Sequence, residues 1–196
     1  MKKQKKVLAL VLCAVMLVAS SVLATMAYLQ DSDTVTNTFT VGKVGIVLNE
    51  APVDADGQEV EGARVQENAY QLFPGKTYDK DPMVTVDADS EDCWLFVTVD
   101  NQIADIEVEG DTTIAAQMEA NGWTLVEGTT DVYAYEAIKS AGETAVVFEN
   151  FVIAGGVDNE TLAEYANAKI IVNAYAIQAE GFDTAAEAWA AAEDEF

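Results

Sequence analysis

The chain contains no histidine. That absence removes the Ser-His and Cys-His bases of the common hydrolytic triads, and with them zinc sites of the His-Glu-x-x-His kind. Cysteine is almost as scarce, with two in 196 residues, Cys13 and Cys93. Cys13 lies inside an N-terminal apolar run, so a chain that loses that run keeps one cysteine and can form no intramolecular disulfide. Cys93 opens the apolar stretch Cys93-Trp-Leu-Phe-Val97 and reads as a small buried core residue. Basic residues are few as well, 10 against 34 acidic ones, a net charge of −24. Nucleic acid is thereby excluded as a partner, because phosphate binding needs a basic surface. An anionic membrane surface is excluded on the same ground.

Four of the ten basic residues stand in Met1–Lys6, ahead of an apolar run from Val7 to Val18 and the small residues Ala19, Ser20 and Ser21. A charged start, an apolar helix and a small-residue zone, in that order, make a secretory signal. Thr25-Met26-Ala27 puts small residues at both −3 and −1, so cleavage is expected between Ala27 and Tyr28; a cut after Ala24 is the second choice. The competing reading is a transmembrane anchor, since Val7–Leu29 approaches the ~20 apolar residues a span needs. The small-residue cluster favours cleavage. Lipidation at Cys13 is disfavoured, because Leu10-Val11-Leu12-Cys13 puts bulky Leu12 directly before the cysteine, where such sites carry a small residue, and leaves a very short apolar run. Residues 28–196 then form one domain of a length suited to a single core. It carries six basic residues and all 34 acidic ones, a net charge of −28. The expected location is outside the cell, in the matrix or at the surface. Signal peptidase is the processing partner, and the membrane is met only through the uncleaved signal.

The domain reads as strand. Thr38–Leu48 carries apolar residues at 39, 41, 44, 46 and 48, with a change of phase beside Gly42 and Gly45 that suggests a bulge. An acidic connection over residues 50–63 contains the turn pair Asp56-Gly57, and Pro74-Gly75 marks a second turn. Met83–Val86 and Cys93–Val99 are strands around the acidic turn Asp87–Asp92. In the second, Cys93, Leu95, Val97 and Val99 share one face and Trp94, Phe96 and Thr98 the other, which implies cover on both sides. A helix over 112–121 with Asp111 as cap, ended by Asn121-Gly122, is followed by strands Trp123–Val126, Val132–Tyr135 and Thr144–Ile153. Asp158 or Asn159 starts another short helix, with Thr161 and Glu164 spaced as a capping box. Lys169–Ala179 is a strong late strand, and Thr184 with Glu187 opens a last helix, Ala185–Glu193. Many short strands, frequent turns and few helices predict a mainly β fold, an antiparallel two-sheet sandwich.

Chemistry is hard to find in this pattern. With 34 acidic residues, any single pair of carboxylates says little about glycosidase chemistry. Asp54-Ala-Asp-Gly57 resembles a calcium loop only superficially, because aligning Gly57 puts Pro52 and Ala63 at the end ligand positions. The denser cluster Asp87, Asp89, Glu91 and Asp92, and the smaller pair Asp31 and Asp33, read as solvated acidic loops with weak divalent-cation binding as the alternative. No other cofactor is expected.

The segment Ala27-Tyr-Leu-Gln-Asp-Ser-Asp-Thr-Val-Thr-Asn-Thr-Phe-Thr-Val-Gly-Lys-Val44 resembles the mature start of the TasA/camelysin family of exported Gram-positive proteins, whose signals are removed by a dedicated signal peptidase. A second block, Leu72-Phe-Pro-Gly-Lys-Thr-Tyr-Asp-Lys80, is similar to that family's Pro-Gly segment before a central strand. The resemblance implies a jelly-roll sandwich that polymerises into extracellular biofilm-matrix fibres, the N-terminus of one subunit filling a sheet position in the next. Here that donor strand is Tyr28–Val41, with Tyr28, Leu29, Val35, Phe39 and Val41 as its contact residues. Main-chain pairing along a neighbour's open edge is physically suited to such a polar, Thr-rich stretch. Folding of the segment onto its own domain is the alternative. The resemblance also implies a camelysin-like metallopeptidase, which would have to use carboxylate ligands alone and is disfavoured by the missing histidines. A surface adhesion sandwich that never polymerises is the third reading.

Overall fold

The computed structural model describes residues 43–192, together with Lys3 and Lys6. The rest of the expected signal, the cleavage pair Ala27 and Tyr28, and the donor segment with Leu29, Val35, Phe39 and Val41 lie outside the described residues, as do Asp31 and Asp33.

Nine strands carry the described part: β1 (Ile46–Asn49), β2 (Thr77–Asp79), β3 (Met83–Val86), β4 (Cys93–Asn101), β5 (Trp123–Leu125), β6 (Val132–Tyr135), β7 (Thr144–Val146), β8 (Asn150–Val152) and β9 (Ile170–Gln178). Three helices are interspersed, α1 (Ile114–Ala120), α2 (Asn159–Glu164) and α3 (Ala185–Ala192), with a 3-10 turn at Ala104–Ile106. The strands form three antiparallel sheets in the orders β1-β3-β7, β2-β8 and β5-β6-β4-β9. The fold is therefore mainly β and sandwich-like, and no barrel closes.

Strand β4 organises the packing. It pairs with β9 over nine residues, from Cys93 opposite Gln178 to Asn101 opposite Ile170, and with β6 on its other side. Side chains of a strand alternate between faces, and both faces of β4 are covered. Cys93, Leu95 and Val97 point into the main core with Val84 and Val86 of β3, Tyr78 of β2, Phe151 of β8 and Trp123 of β5. Phe96 points the opposite way, into a second core with Val132 and Ala134 of β6, Ile177 of β9, and Ala188 and Trp189 of α3. The rings of Phe96 and Trp189 lie 5.1 Å apart. The two-faced pattern expected of Cys93–Val99 is what the fold uses.

The caps follow local chemistry. Asp158 is the N-cap of α2, its carboxylate accepting from Thr161 N at 2.9 Å. Thr161 is thus the residue that is capped rather than the start of a capping box. Thr184 opens α3 as expected, accepting from Glu187 N at 3.2 Å, while Glu187 reaches back to Asp183 N. At α1 the cap is Thr113, not Asp111; its hydroxyl accepts from Ala116 N, and Asn121-Gly122 ends the helix with Gly122 at φ +88°.

Met83–Val86 and Cys93–Val99 are strands on either side of the acidic segment, as expected; they belong to different sheets, and Asp87–Asp92 crosses between them. A strand buried on both faces needs neighbours that a simple hairpin partner does not supply, so β4 leaves β3 for the centre of the other sheet. The single strand expected over Thr144–Ile153 is two, β7 and β8, in separate sheets. Val147 and Phe148 between them are both fully buried. Consecutive residues of one strand face opposite sides, so burying both in one core requires the chain to break there.

Leu95, fully buried on the main-core face of β4, is expected to cost about 2–5 kcal/mol when replaced by alanine. Leu125, 50% exposed, should change stability by no more than about 0.5 kcal/mol in the same substitution. Urea titration of the two variants checks both values. Burial, with Asp92 adding to it, pushes the Cys93 thiol up to about 11. The native protein should therefore give no reaction with a thiol reagent at pH 8 and one equivalent after unfolding, if Cys13 has been removed with the signal.

Candidate functional site: a trough between two sheet edges

Strand β1 is the outer strand of its sheet and β9 the outer strand of the other. Among the described residues each has a single strand partner, β3 for β1 and β4 for β9. A groove of about 700 Å³ is lined by Ile46–Glu50 on one side and Ile170–Tyr175 on the other, with Lys80 and Pro82 also contributing. A second cavity, of about 670 Å³, shares Glu50, Gln66, Lys80, Ile170 and Ile171 with it and extends past residues 66–73 to α2. Val47, Ile171 and Phe73, each at least 40% exposed, line this trough and leave apolar surface open along it.

The wall common to both cavities is an ion pair. Glu50 is 4% exposed and Lys80 9%, and the Lys80 ammonium donates to Glu50 Oε2. The other carboxylate oxygen accepts from Asn68 Nδ2 at 2.9 Å; the same amide donates to Ala51 O at 2.8 Å, and its oxygen accepts from Val53 N. Buried charge is tolerated only when paired and hydrogen-bonded in this way. Beside it, Arg64 ties the end of β1 to the approach to β3. It donates from Nε to Asn49 Oδ1 at 2.6 Å, from Nη1 to Asp81 Oδ2 at 2.8 Å, and from Nη2 to the carbonyls of Asn49 and Asp81. Asp81 in turn accepts from Ala51 N at 2.6 Å. A planar guanidinium with a rigid fork of donors suits this multiple contact better than lysine would. Arg64 is the only arginine in the chain.

Aromatic residues position the far end. Tyr78 and Phe151, opposite one another in β2 and β8, stack with centroids 4.9 Å apart, and Tyr70 meets both edge-on. The Tyr70 hydroxyl donates to Asp79 O at 2.9 Å, and its pKa is driven upward, first by burial and then by the Glu50 charge. Tyr78 OH accepts from Phe73 N and donates to Gln71 O. Those side-chain bonds hold residues 66–72, whose main chain makes no backbone–backbone hydrogen bond among the described residues.

The residues picked out beforehand lie elsewhere. Asp87 is half-buried and Asp89, Glu91 and Asp92 are exposed on the crossover, with Asp89 paired to Lys43 at 3.2 Å. No group of three or more acidic or cysteine side chains is arranged to hold a metal ion among the described residues. Asp54 closes its own turn, accepting from Asp56 N and Gln58 N, with Gly57 at φ +71°. The trough itself was missed. The signal that pointed to it was scarcity: a lone arginine and an isolated Lys80 in so acidic a chain have to be committed to particular carboxylates. The chain matches no family model, no curated protein and no solved structure.

Replacing Lys80 with methionine strands the Glu50 carboxylate and is expected to cost about 3–5 kcal/mol. The double variant Glu50→Leu/Lys80→Met should recover most of that loss, because no unpaired charge remains. Denaturant unfolding of both variants checks the pair.

Proposed function

We propose that this protein is a secreted structural subunit of extracellular matrix fibres, a jelly-roll-like sandwich completed by the N-terminal strand of a neighbouring copy. The observation that carries this reading is the pair of sheet edges, β1 and β9, that have one strand partner each among the described residues and line one groove. An open edge offers a row of unpaired main-chain donors and acceptors, and exposed Val47 and Ile171 add apolar surface beside it. The incoming segment is Tyr28–Val41 of a second copy, with Leu29, Val35, Phe39 and Val41 as the side chains it buries. Its 14 residues, extended at about 3.3 Å each, reach well beyond the length of either edge strand. Main-chain pairing would supply affinity, and the alternate apolar residues would supply register. The likeness of Ala27–Val44 to the TasA/camelysin start supports the same assignment. Cleavage after Ala27 would then release Tyr28 for threading, which makes the signal a control on assembly as well as an export address. A charge of −28 per subunit opposes association, so salt or divalent cations should promote it.

Electron microscopy of residues 28–196 and of a version beginning at residue 42 tests the proposal. Filaments are expected from the first, favoured by salt or calcium, and none from the second. Filaments from both, or from neither across a range of pH and calcium, would overturn donor-strand assembly.

A further inference from the structure

The cavity beyond the Glu50–Lys80 pair differs in chemistry from the groove between the edges. Four charged side chains line it, Glu50 and Glu67 against Lys80 and Lys169, and their charges cancel. In a chain of net charge −24 that balance is local and unusual, and it takes two of the six basic residues found beyond residue 42. Apolar surface comes from Leu72, Phe73, Leu162 and the ring of Tyr165, with Phe73 45% exposed. Besides Asn68, whose amide is committed to Glu50, Ala51 and Val53, three side-chain amides line the cavity, those of Gln66, Gln71 and Asn159, all on exposed residues. None of the three makes a side-chain hydrogen bond among the described residues, and neither does the Tyr165 hydroxyl. Each amide offers a donor and an acceptor at once. The neighbouring main chain of residues 66–72 adds further groups with no backbone partner there.

We infer that this cavity is a binding site for an uncharged oligosaccharide. A sugar hydroxyl is itself both donor and acceptor, which is the requirement that uncommitted amides and a phenol can meet together. The C–H faces of a pyranose ring are apolar and rest on aromatic surface, here Phe73 and Tyr165. An anionic polymer would meet the repulsion of the whole acidic domain. A cationic one would find Lys80 and Lys169 in this cavity and far more carboxylates outside it. The volume, about 670 Å³, lies within the ~300–1,000 Å³ usual for sites that enclose a small ligand. The site stands beside the edge groove and does not depend on strand exchange.

Electrophoresis of the purified full chain in native gels containing dissolved dextran, galactomannan or hydroxyethylcellulose tests the inference, with alginate as the anionic comparison. At least one neutral polymer should retard the protein relative to a polymer-free gel. Phe73→Ala, Gln71→Ala and Tyr165→Phe should each weaken that retardation, by about tenfold in apparent Kd for Phe73→Ala. All three positions are at least partly exposed, so circular dichroism should report an unchanged fold. Retardation by none of the neutral polymers, by alginate alone, or to the same extent in all three variants would overturn the inference. Binding of unstructured peptides in place of the polymers, blocked by the same variants, would reassign the site to polypeptide and overturn it equally. Filament formation by Phe73→Ala, read in parallel, separates loss of this site from loss of assembly.

Discussion

Strand β4 buries side chains on both of its faces between Cys93 and Val97, and most of the architecture follows from that constraint. Leu95 and Val97 require a layer on one side, and the β1-β3-β7 sheet with Tyr78 and Phe151 supplies it. Phe96 requires a layer on the other, and α3 supplies it through Trp189 and Ala188. Of the first layer only β3 is next to β4 in the chain, and α3 lies far from it. The acidic crossover at Asp87–Asp92 and the late return of β9 are consequences of bringing distant residues to both faces of one strand. Without disulfides, this doubly covered strand is a main source of cohesion among residues 43–192.

Charge imposes the second constraint. So acidic a domain repels itself, and two of its few cations, Lys80 and Arg64, are committed to carboxylates that are buried or partly buried. Lys80 neutralises Glu50 where both are buried, and Arg64 bridges Asn49 and Asp81 where β1 meets the approach to β3. Glu50 and Lys80 line both cavities of the trough, and Arg64 holds Asn49, which lines the groove, so ion pairing contributes to its shape. Among the described residues the edges of β1 and β9 have one strand partner each beside it, and the neutral cavity adjoins them. Strand exchange and glycan binding are thus proposed for neighbouring parts of one surface, held in place by the same two cations.

Much of this was legible in the residues. The alternation in Cys93–Val99 indicated two covered faces, and the strand patterns located β3, β6 and β9 closely, while the strand expected over Thr38–Leu48 is seen among the described residues only from Ile46, as β1. Turn chemistry at Asp56-Gly57 and Pro74-Gly75 was correct because a positive-φ glycine leaves little choice. Helix starts at Asp158 and Thr184 were read from short-range hydrogen bonding that tertiary context did not disturb. Thr113 displaced Asp111 as a cap because Ile114 and Met118 are buried in the main core, and that burial sets where the first turn begins.

What lay beyond reach was pairing between distant segments. Apolar residues across Thr144–Ile153 read as one strand, and only the burial of both Val147 and Phe148 required a break. The ion pair of Glu50 with Lys80, and the sharing of one cavity by Gln66 and Asn159, depend on loops whose paths no local pattern encodes. By itself the sequence determined an acidic, histidine-free, strand-rich chain with a basic, then apolar, N-terminus, because composition and period-two alternation are local properties. The tertiary structure alone decided which strands stand at sheet edges among the described residues, which charges are buried, and which uncommitted amides share a cavity. Those outcomes come from contacts between residues far apart in the chain, where packing and desolvation outweigh local preference.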